Sequence, residues 1–131
     1  MNVLVVEDDR DHRAVIRILL QLAGYEVREA ASAEDALMVF ESWRPDAVVL
    51  DVRLPGLDGL ELLSIIRMSA ELATLAVVLC SAHAESSAAD AARDDPLTGF
   101  VAKPYHPDRL LAELTTVLDA VSGLGQPVTP A

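Results

Sequence analysis

The sequence predicts an α/β fold in which five parallel strands form one doubly wound sheet covered by five helices. Short apolar runs, typical of buried strands, alternate along the chain with longer segments of helical period. Such alternation is the pattern of βαβ units and a parallel sheet with both faces covered. The chain has 131 residues, 52% of them hydrophobic, so we expect a single domain with one sizeable core.

The first third of the chain contains a strand, a helix and a second strand. Val3–Val6 is the first predicted strand. Glu26–Glu29 is the second, and because it is the least apolar of the runs we expect it at an edge of the sheet. Gly24 is the predicted stop of the helix between them. That helix is predicted from apolar residues that recur three and four apart: Val15, Ile16, Leu19, Leu20 and Ala23.

The second helix is predicted from Ala33 to about Ser42. Ser32, with Asp35 three residues later, resembles a capping box in which Asp replaces the usual Glu or Gln. The proline of Arg44-Pro45-Asp46 ends this helix and turns the chain into the third strand, Ala47–Leu50.

A turn sequence, Leu54-Pro55-Gly56-Leu57-Asp58-Gly59, connects the third strand to the third helix. Most of that helix's buried stripe is predicted to come from Leu62, Leu63, Ile65 and Ile66. Val77–Cys80 is the fourth strand. Its Cys80 is the only cysteine, so it cannot form an internal disulfide, and we expect a buried, inert thiol.

The fourth helix is predicted from about Ala84 to Asp94, and its Ala, Ser and Asp residues leave it little apolar area for packing. Gly99–Ala102 is the fifth strand, and the fifth helix begins with Pro107 at its first position. The buried side of the fifth helix is predicted to be Leu110, Leu111, Leu114, Val117 and Leu118. We expect the domain to cover residues 1–121, and residues 122–131 to form a flexible tail or the start of a linker.

Right-handed crossovers leave few topologies for this alternation, and we predict the flavodoxin-like strand order 2-1-3-4-5. In such sheets ligands bind outside the carboxyl ends of the strands, where the first and third strands adjoin. Six polar residues follow the predicted strands at that edge: Glu7, Asp8, Asp9, Asp51, Ser81 and Lys103. Carboxylates gathered there would have raised pKa values unless a cation compensates them, and Mg²⁺ suits such a site.

The balance of charge excludes some partners. The chain carries 21 acidic and 10 basic residues, so neither nucleic acid nor an anionic membrane is an expected direct partner. Lys103 is the only lysine, which suggests that a compact ammonium is required at the end of the fifth strand. The sequence contains no apolar stretch of bilayer-spanning length and no signal-type start, so we expect a cytoplasmic protein.

Four segments together resemble the signature regions of response-regulator receiver domains from two-component phosphorelay systems. They occur in the family's order over residues 3–104, and they are Val3–Asp9, Val49–Gly59, Ser81-Ala82 and Lys103-Pro104. The resemblance implies a phosphoprotein switch that uses Mg²⁺ or Mn²⁺, is no enzyme toward other substrates, and dephosphorylates itself. It also implies a sensor histidine kinase or phosphotransfer protein as donor, and an output protein or attached output domain. Homodimerisation is left open.

The resemblance assigns the acidic residues their roles. Asp51 is the phosphoacceptor nucleophile. Glu7 and Asp8 are the acidic pair that holds the metal together with Asp51, and the backbone carbonyl of Arg53 is a further ligand.

The remaining roles concern the phosphoryl group and the response to it. Ser81 would hydrogen-bond a phosphoryl oxygen, and Lys103 would pair with the group from the side opposite the metal. Ser81 and Phe100 are the implied switch residues. Arg53 and His83 occupy positions that tune the lifetime of the phosphorylated state.

Two alternative functions share part of this pattern. A phosphatase of the haloacid dehalogenase type also uses a nucleophilic Asp with a Lys around Mg²⁺, but it has a second Asp where this chain has Arg53. A pseudo-receiver scaffold would signal without phosphorylation, and we would expect it to have lost a site residue, whereas none is lost here. The chain departs from the receiver pattern at Pro96-Leu97, where many receivers have Gly-Ala.

Overall fold

The computed structural model describes residues 1–82 and 86–124. Five strands alternate with five helices, and the strands form one parallel sheet in the order β2-β1-β3-β4-β5, as predicted. The strands are β1 (Asn2–Val6), β2 (Glu26–Ala30), β3 (Ala47–Asp51), β4 (Ala76–Ser81) and β5 (Thr98–Ala102). The helices are α1 (Arg10–Leu22), α2 (Ala33–Ser42), α3 (Gly59–Met68), α4 (Ser86–Asp94) and α5 (Pro107–Leu124).

The sheet separates two apolar clusters, and successive residues of each inner strand contribute to opposite ones. In β3, Val48 and Leu50 pack with α2 and α3, whereas Ala47 and Val49 pack with α1 and α5. Every residue of β3 and β4 is buried, because helices cover both faces of these strands. The predicted edge strand, β2, pairs only with β1 among the described strands and is the most exposed of the five.

Cys80 is buried in the cluster beneath α1 and α5, as predicted. Burial raises the pKa of its thiol to about 12. The thiol is therefore protonated and unreactive at neutral pH.

Helix α1 ends at Leu22, and Gly24, the predicted stop, follows two residues later. Gly24 has φ +97°, a conformation that glycine adopts without strain. Its N–H donates to the Gln21 carbonyl, and the N–H of Tyr25 donates to the Leu20 carbonyl. These two bonds form a Schellman motif, which satisfies carbonyls that the end of a helix leaves open.

One residue of the apolar pattern in α1 and one residue of the predicted buried stripe of α3 are exposed. The side chains of Val15 in α1 and Ile65 in α3 are 61% and 38% exposed, while the neighbouring Ile16 and Ile66 are buried. Helical periodicity identifies the apolar side of a helix but not how wide a stripe the sheet will cover. Val15 and Ile65 lie at the margins of their stripes.

The second and third helices begin at capping residues. The Ser32 hydroxyl accepts the N–H of Asp35 at 3.0 Å, which confirms the predicted start of α2. Helix α3 has a complete capping box that the turn interpretation of this segment missed. Asp58 Oδ1 accepts the Glu61 N–H at 2.8 Å, and Glu61 Oε1 accepts the Asp58 N–H at 3.2 Å.

The last two helices differ in part from the expected bounds. Helix α4 is described from Ser86, so the predicted start at Ala84 lies outside the described residues. Helix α5 continues to Leu124, beyond residue 121, and Val121 packs against the core. Residues 125–131 of the predicted tail lie outside the described part of the chain, and the division at residue 121 stays a prediction.

Arg67, near the end of α3, ties together the segments that lead into β4 and β5. Its guanidinium makes hydrogen bonds to Asp95 Oδ2 (2.7 Å), Ala73 O (3.2 Å), Leu75 O (2.6 Å), Leu97 O (3.1 Å) and Thr98 Oγ1 (2.8 Å). The turn that departs from the receiver pattern is thus held by an arginine at the amino edge of the sheet.

Across residues 1–82 and 86–124, none of the helices has both the length and the apolar character needed to cross a bilayer.

Candidate functional site

Four strands deliver polar side chains to the carboxyl edge of the sheet, as predicted. Glu7 and Lys103 directly follow β1 and β5, while Asp51 and Ser81 are the last residues of β3 and β4. The four strands are neighbours in the sheet, so residues far apart in sequence meet at one edge. The site is therefore a product of the topology.

Three of the predicted acidic residues form a cluster. One carboxylate oxygen from each of Glu7, Asp8 and Asp51 lies within 4.8 Å of the other two. Glu7 and Asp51 are 3% and 7% exposed, whereas Asp8 is open to solvent. Three hard oxygen donors with one exposed side fit a Mg²⁺ ion that retains some of its water.

Asp9, the third acidic residue after β1, is used differently. Its Oδ1 accepts the N–H of Asp11 at 3.0 Å and that of His12 at 3.3 Å, so Asp9 is the N-cap of α1. Its own N–H donates to Glu7 Oε1 at 3.3 Å. Asp9 thereby helps to orient the Glu7 carboxylate.

Lys103 reaches both buried carboxylates. Its Nζ lies 3.4 Å from Asp51 Oδ1 and 3.2 Å from Glu7 Oε2, and its side chain is 15% exposed. Its backbone N–H donates to the Ser81 carbonyl at 2.7 Å, and the peptide that joins it to Pro104 is cis. Burial disfavours the ammonium, but the charges of Asp51 and Glu7 outweigh this effect and raise the pKa of Lys103. Lys103 is therefore a permanent cation in the site.

One ammonium does not fully offset the acidic cluster. Burial and the neighbouring Asp51 raise the pKa of Glu7 to about 7, although Lys103 acts in the opposite direction. The contribution of Asp51 to this shift is the repulsion between carboxylates expected from the sequence, and burial contributes more. A further cation between the carboxylates would relieve it.

The loop from β3 to α3 is held at both ends. The Arg53 N–H donates to Asp51 Oδ1 at 3.4 Å, and the Leu57 N–H donates to Glu34 Oε1 of α2 at 3.0 Å. A cleft of about 520 Å³ lies between Asp8 and this loop. The cleft gives solvent and small molecules access to the exposed side of the acidic cluster.

The predicted switch residues occupy adjacent strands. Ser81 is fully buried at the end of β4. Phe100 of β5 is partly buried, pairs in register with Leu79 of β4, and packs against the cluster beneath α2 and α3. Their roles stay predictions. His83 lies outside the described residues.

Two residues of α1 that the sequence analysis missed contact Glu7. Nδ1 of His12 lies 3.8 Å from Glu7 Oε1, and Nη1 of Arg13 donates to the Glu7 backbone carbonyl at 2.7 Å. An N-cap at Asp9 places both in the first turn of α1, beside the end of β1. Recognising Asp9 as the N-cap would have predicted the position of both residues, since the cap fixes where the helix starts.

The chain matches known proteins over most of its length. The family model described as response regulator receiver domain matches residues 3–115. The chain is 38% identical over 117 residues to the positive alginate biosynthesis regulatory protein of Pseudomonas aeruginosa, covering 87% of this chain and 46% of that protein. It is 35% identical over 131 residues to response regulator MprA of Mycobacterium sp. (strain KMS), covering 100% of this chain and 56% of that protein. The chain thus spans about half the length of the curated relatives it matches.

Solved structures agree with these matches. Chemotaxis protein CheY4 of Vibrio cholerae superposes with a TM-score of 0.80 at 29% identity, covering 88% of this chain and 97% of that chain. A putative response regulator from Chloroflexus aurantiacus gives a TM-score of 0.81 at 34% identity, covering 90% and 97%. These matches do not favour the phosphatase or the pseudo-receiver alternative.

Proposed function

The chain belongs to the response regulator receiver domain family, and we propose that it is a signalling switch activated when Asp51 accepts a phosphoryl group. One observation carries the proposal. Lys103 Nζ lies 3.4 Å from Asp51 Oδ1, while oxygens of Glu7 and Asp8 lie within 4.8 Å of an oxygen of Asp51. A nucleophilic carboxylate flanked by a cation and a cation-binding acidic pair has the groups that phosphoryl transfer requires.

The proposed reaction has a simple balance. A carboxylate oxygen of Asp51 attacks the phosphorus of a phosphohistidine on the donor protein, and the bond from phosphorus to the histidine nitrogen breaks. Lys103 stabilises negative charge on the phosphoryl oxygens, and the Ser81 hydroxyl donates a hydrogen bond to one of them. Later attack by water on phosphorus releases inorganic phosphate and restores the carboxylate. The chain's own catalysis is limited to these two steps.

We propose that Glu7, Asp8, Asp51 and the backbone carbonyl of Arg53 hold Mg²⁺ or Mn²⁺. When bound, the ion would neutralise charge on the transferring phosphoryl group. The three clustered carboxylates and the raised pKa of Glu7 support this assignment.

We further propose how the signal leaves the site. An aspartyl phosphate carries roughly 1.5 to 2 negative charges where the carboxylate carried one, and it has new acceptor oxygens, so Ser81 would move toward it. Phe100 would turn into the space that Ser81 vacates, which alters the surface formed by α4, β5 and α5. The full burial of Ser81 and the partial burial of Phe100 in the neighbouring strand support this coupling. Arg53 and His83 would tune the lifetime of the phosphorylated state.

The proposed partners follow from this chemistry. The chain would act in the cytoplasm, and its donor would be a sensor histidine kinase or phosphotransfer protein. The recipient would be an output protein or an attached output domain. An attached domain agrees with the greater length of the relatives, of which this chain spans about half.

Acetyl phosphate with Mg²⁺ provides the test. We expect intact-mass measurement to show the gain of one phosphoryl group per chain, and we expect Asp51→Asn or removal of divalent ions with a chelator to abolish it. Asp58→Asn is the matched control, because it removes a nearby, partly buried carboxylate but preserves a good N-cap for α3. No gain in the unsubstituted chain, or an undiminished gain in Asp51→Asn, would contradict the proposal.

A further inference from the structure

Arg13 connects the acidic turn after β1 to the edge strand β2. Its Nη1 donates to the Glu7 backbone carbonyl at 2.7 Å, and its Nε lies 3.7 Å from Glu29 Oε1 of β2. The Arg13 side chain is only 17% exposed. It is therefore held in place on both sides and is largely removed from solvent.

The carbonyl that Arg13 contacts belongs to the peptide unit between Glu7 and Asp8. A peptide unit is planar, so fixing this carbonyl limits the directions in which both residues project their side chains. On the other side of Glu7, its N–H donates to the Ala30 carbonyl of β2 at 3.1 Å. Arg13 thus completes the restraint on the turn that supplies two of the three clustered carboxylates.

We propose that Arg13 is a positioning residue for the metal site: its guanidinium preorganises the turn that carries Glu7 and Asp8, and it thereby strengthens Mg²⁺ binding. The inference rests on the proposed function, because it concerns the same acidic cluster. Arg13 would act through the Glu7 carbonyl and would touch neither the ion nor the phosphoryl group.

Charge and positioning predict opposite effects when Arg13 is replaced. Removing a cation beside an acidic site strengthens its attraction for Mg²⁺, so charge alone predicts tighter binding. Loss of the hydrogen bond frees the turn and predicts weaker binding, because groups that orient metal ligands contribute substantially to affinity. A fall in affinity after loss of the guanidinium therefore identifies positioning as its role.

Arg17 provides the matched control. It lies one turn later on α1, and its Nε is 3.4 Å from the same Glu29 Oε1. Among the described residues, its ion pair is with this glutamate, whereas Arg13 also reaches the Glu7 carbonyl. Arg17→Met removes the same charge without removing the hydrogen bond to the acidic turn.

The experiment is calorimetric titration of the full chain and its variants with Mg²⁺. For Arg13→Met we expect the Kd to rise about fivefold, below the tenfold or more typical of groups that orient metal ligands, because the lost charge partly offsets the effect. For Arg17→Met we expect an unchanged or lower Kd. Phosphorylation of Arg13→Met by acetyl phosphate should be slow at low Mg²⁺ and approach the normal rate at saturating Mg²⁺.

The outcomes separate this inference from the proposed function. An unchanged or tighter Kd in Arg13→Met overturns the positioning role, as does an equal weakening in Arg17→Met. If the unsubstituted chain binds no Mg²⁺, the proposed metal site fails along with the inference. Thermal unfolding checks that each variant is folded. Should Arg13→Met be unfolded, Arg13→Gln, which keeps a polar side chain at this position, is judged by the same criterion.

Discussion

Replacing Arg67 by Met tests how the amino edge of the sheet is held together. The Arg67 side chain is 21% exposed and makes five hydrogen bonds, three of them to backbone carbonyls. Four of the acceptors lie in the segments that precede β4 and β5, and the fifth belongs to Thr98, the first residue of β5. Met retains most of the aliphatic stem, so the change isolates the guanidinium.

The expected loss in the free energy of unfolding is about 2 to 3 kcal/mol. A hydrogen bond from a charged donor contributes roughly 1.5 to 3 kcal/mol, but such values do not add when the bonds share one group. Asp95, the ionic partner, is 28% exposed, so solvent screens part of that interaction. Water would also replace some of the lost bonds. For a domain of this size, the loss corresponds to a melting temperature lower by roughly 6 to 10 °C.

Urea unfolding followed by circular dichroism measures this loss, with the slope m expected to stay constant. Arg93→Met is the control, because Arg93 is 73% exposed and pairs with Asp90 on the surface of α4. Its loss should be below about 0.5 kcal/mol. If Arg67→Met lowered the free energy of unfolding by less than about 1 kcal/mol, or by no more than Arg93→Met does, the guanidinium would not stabilise the segments that lead into β4 and β5.

Two further predictions concern a close backbone approach and acid sensitivity. A Cβ at Gly59 would lie 2.3 Å from the Asp51 carbonyl oxygen, which is too close for an unstrained contact. Gly59→Ala should therefore lower the free energy of unfolding, measured in urea, by at least about 2 kcal/mol and should slow phosphorylation. Gly123→Ala is the control and should be neutral or stabilising, because Gly123 has open space around it. Burial would raise the pKa of Asp95, but other effects outweigh it and lower this pKa below 3.8. They are the hydrogen bonds that the carboxylate accepts from Leu97, Thr98 and Arg67, and the positive charge of Arg67. The stabilisation that ionised Asp95 contributes is therefore present above pH 3.8 and is lost as the pH falls through the lowered pKa of this residue. Asp95→Asn should therefore be less stable than the natural chain by about 1 kcal/mol at neutral pH, and a difference unchanged in strong acid would contradict this.

The strands and the site could be predicted because they depend on strong, local signals. Fully apolar runs such as β3 and β4 have few alternatives in a chain that alternates strands with helices. Once the strands are parallel, the residues at their ends must share an edge. Asp51, Ser81 and Lys103 are therefore predictable from the sequence alone, and the structure brings Lys103 Nζ within 3.4 Å of Asp51 Oδ1.

Other features depend on packing that the sequence does not record. The exposure of Val15 and Ile65 follows from how much of each helix the sheet covers. The hydrogen bond from Arg13 to the Glu7 carbonyl depends on the angle at which α1 leaves β1. The continuation of α5 through Ser122 runs against the weak helix propensity of Ser and Gly, and it is stabilised by the packing of Val121. The capping box at Asp58, by contrast, could have been predicted from the sequence, because Glu61 follows Asp58 at the three-residue spacing typical of the motif.

The parallel direction of the strands separates two tasks in space. All strands begin at the edge held by Arg67 and end at the edge that carries Asp51, and about 16 Å of strand lies between them. Thermostability can thus be engineered around residues 67 and 95–98 with little risk to the chemistry. Because of this separation, the amino edge of the sheet is also a rigid place to attach a reporter without blocking the phosphorylation site.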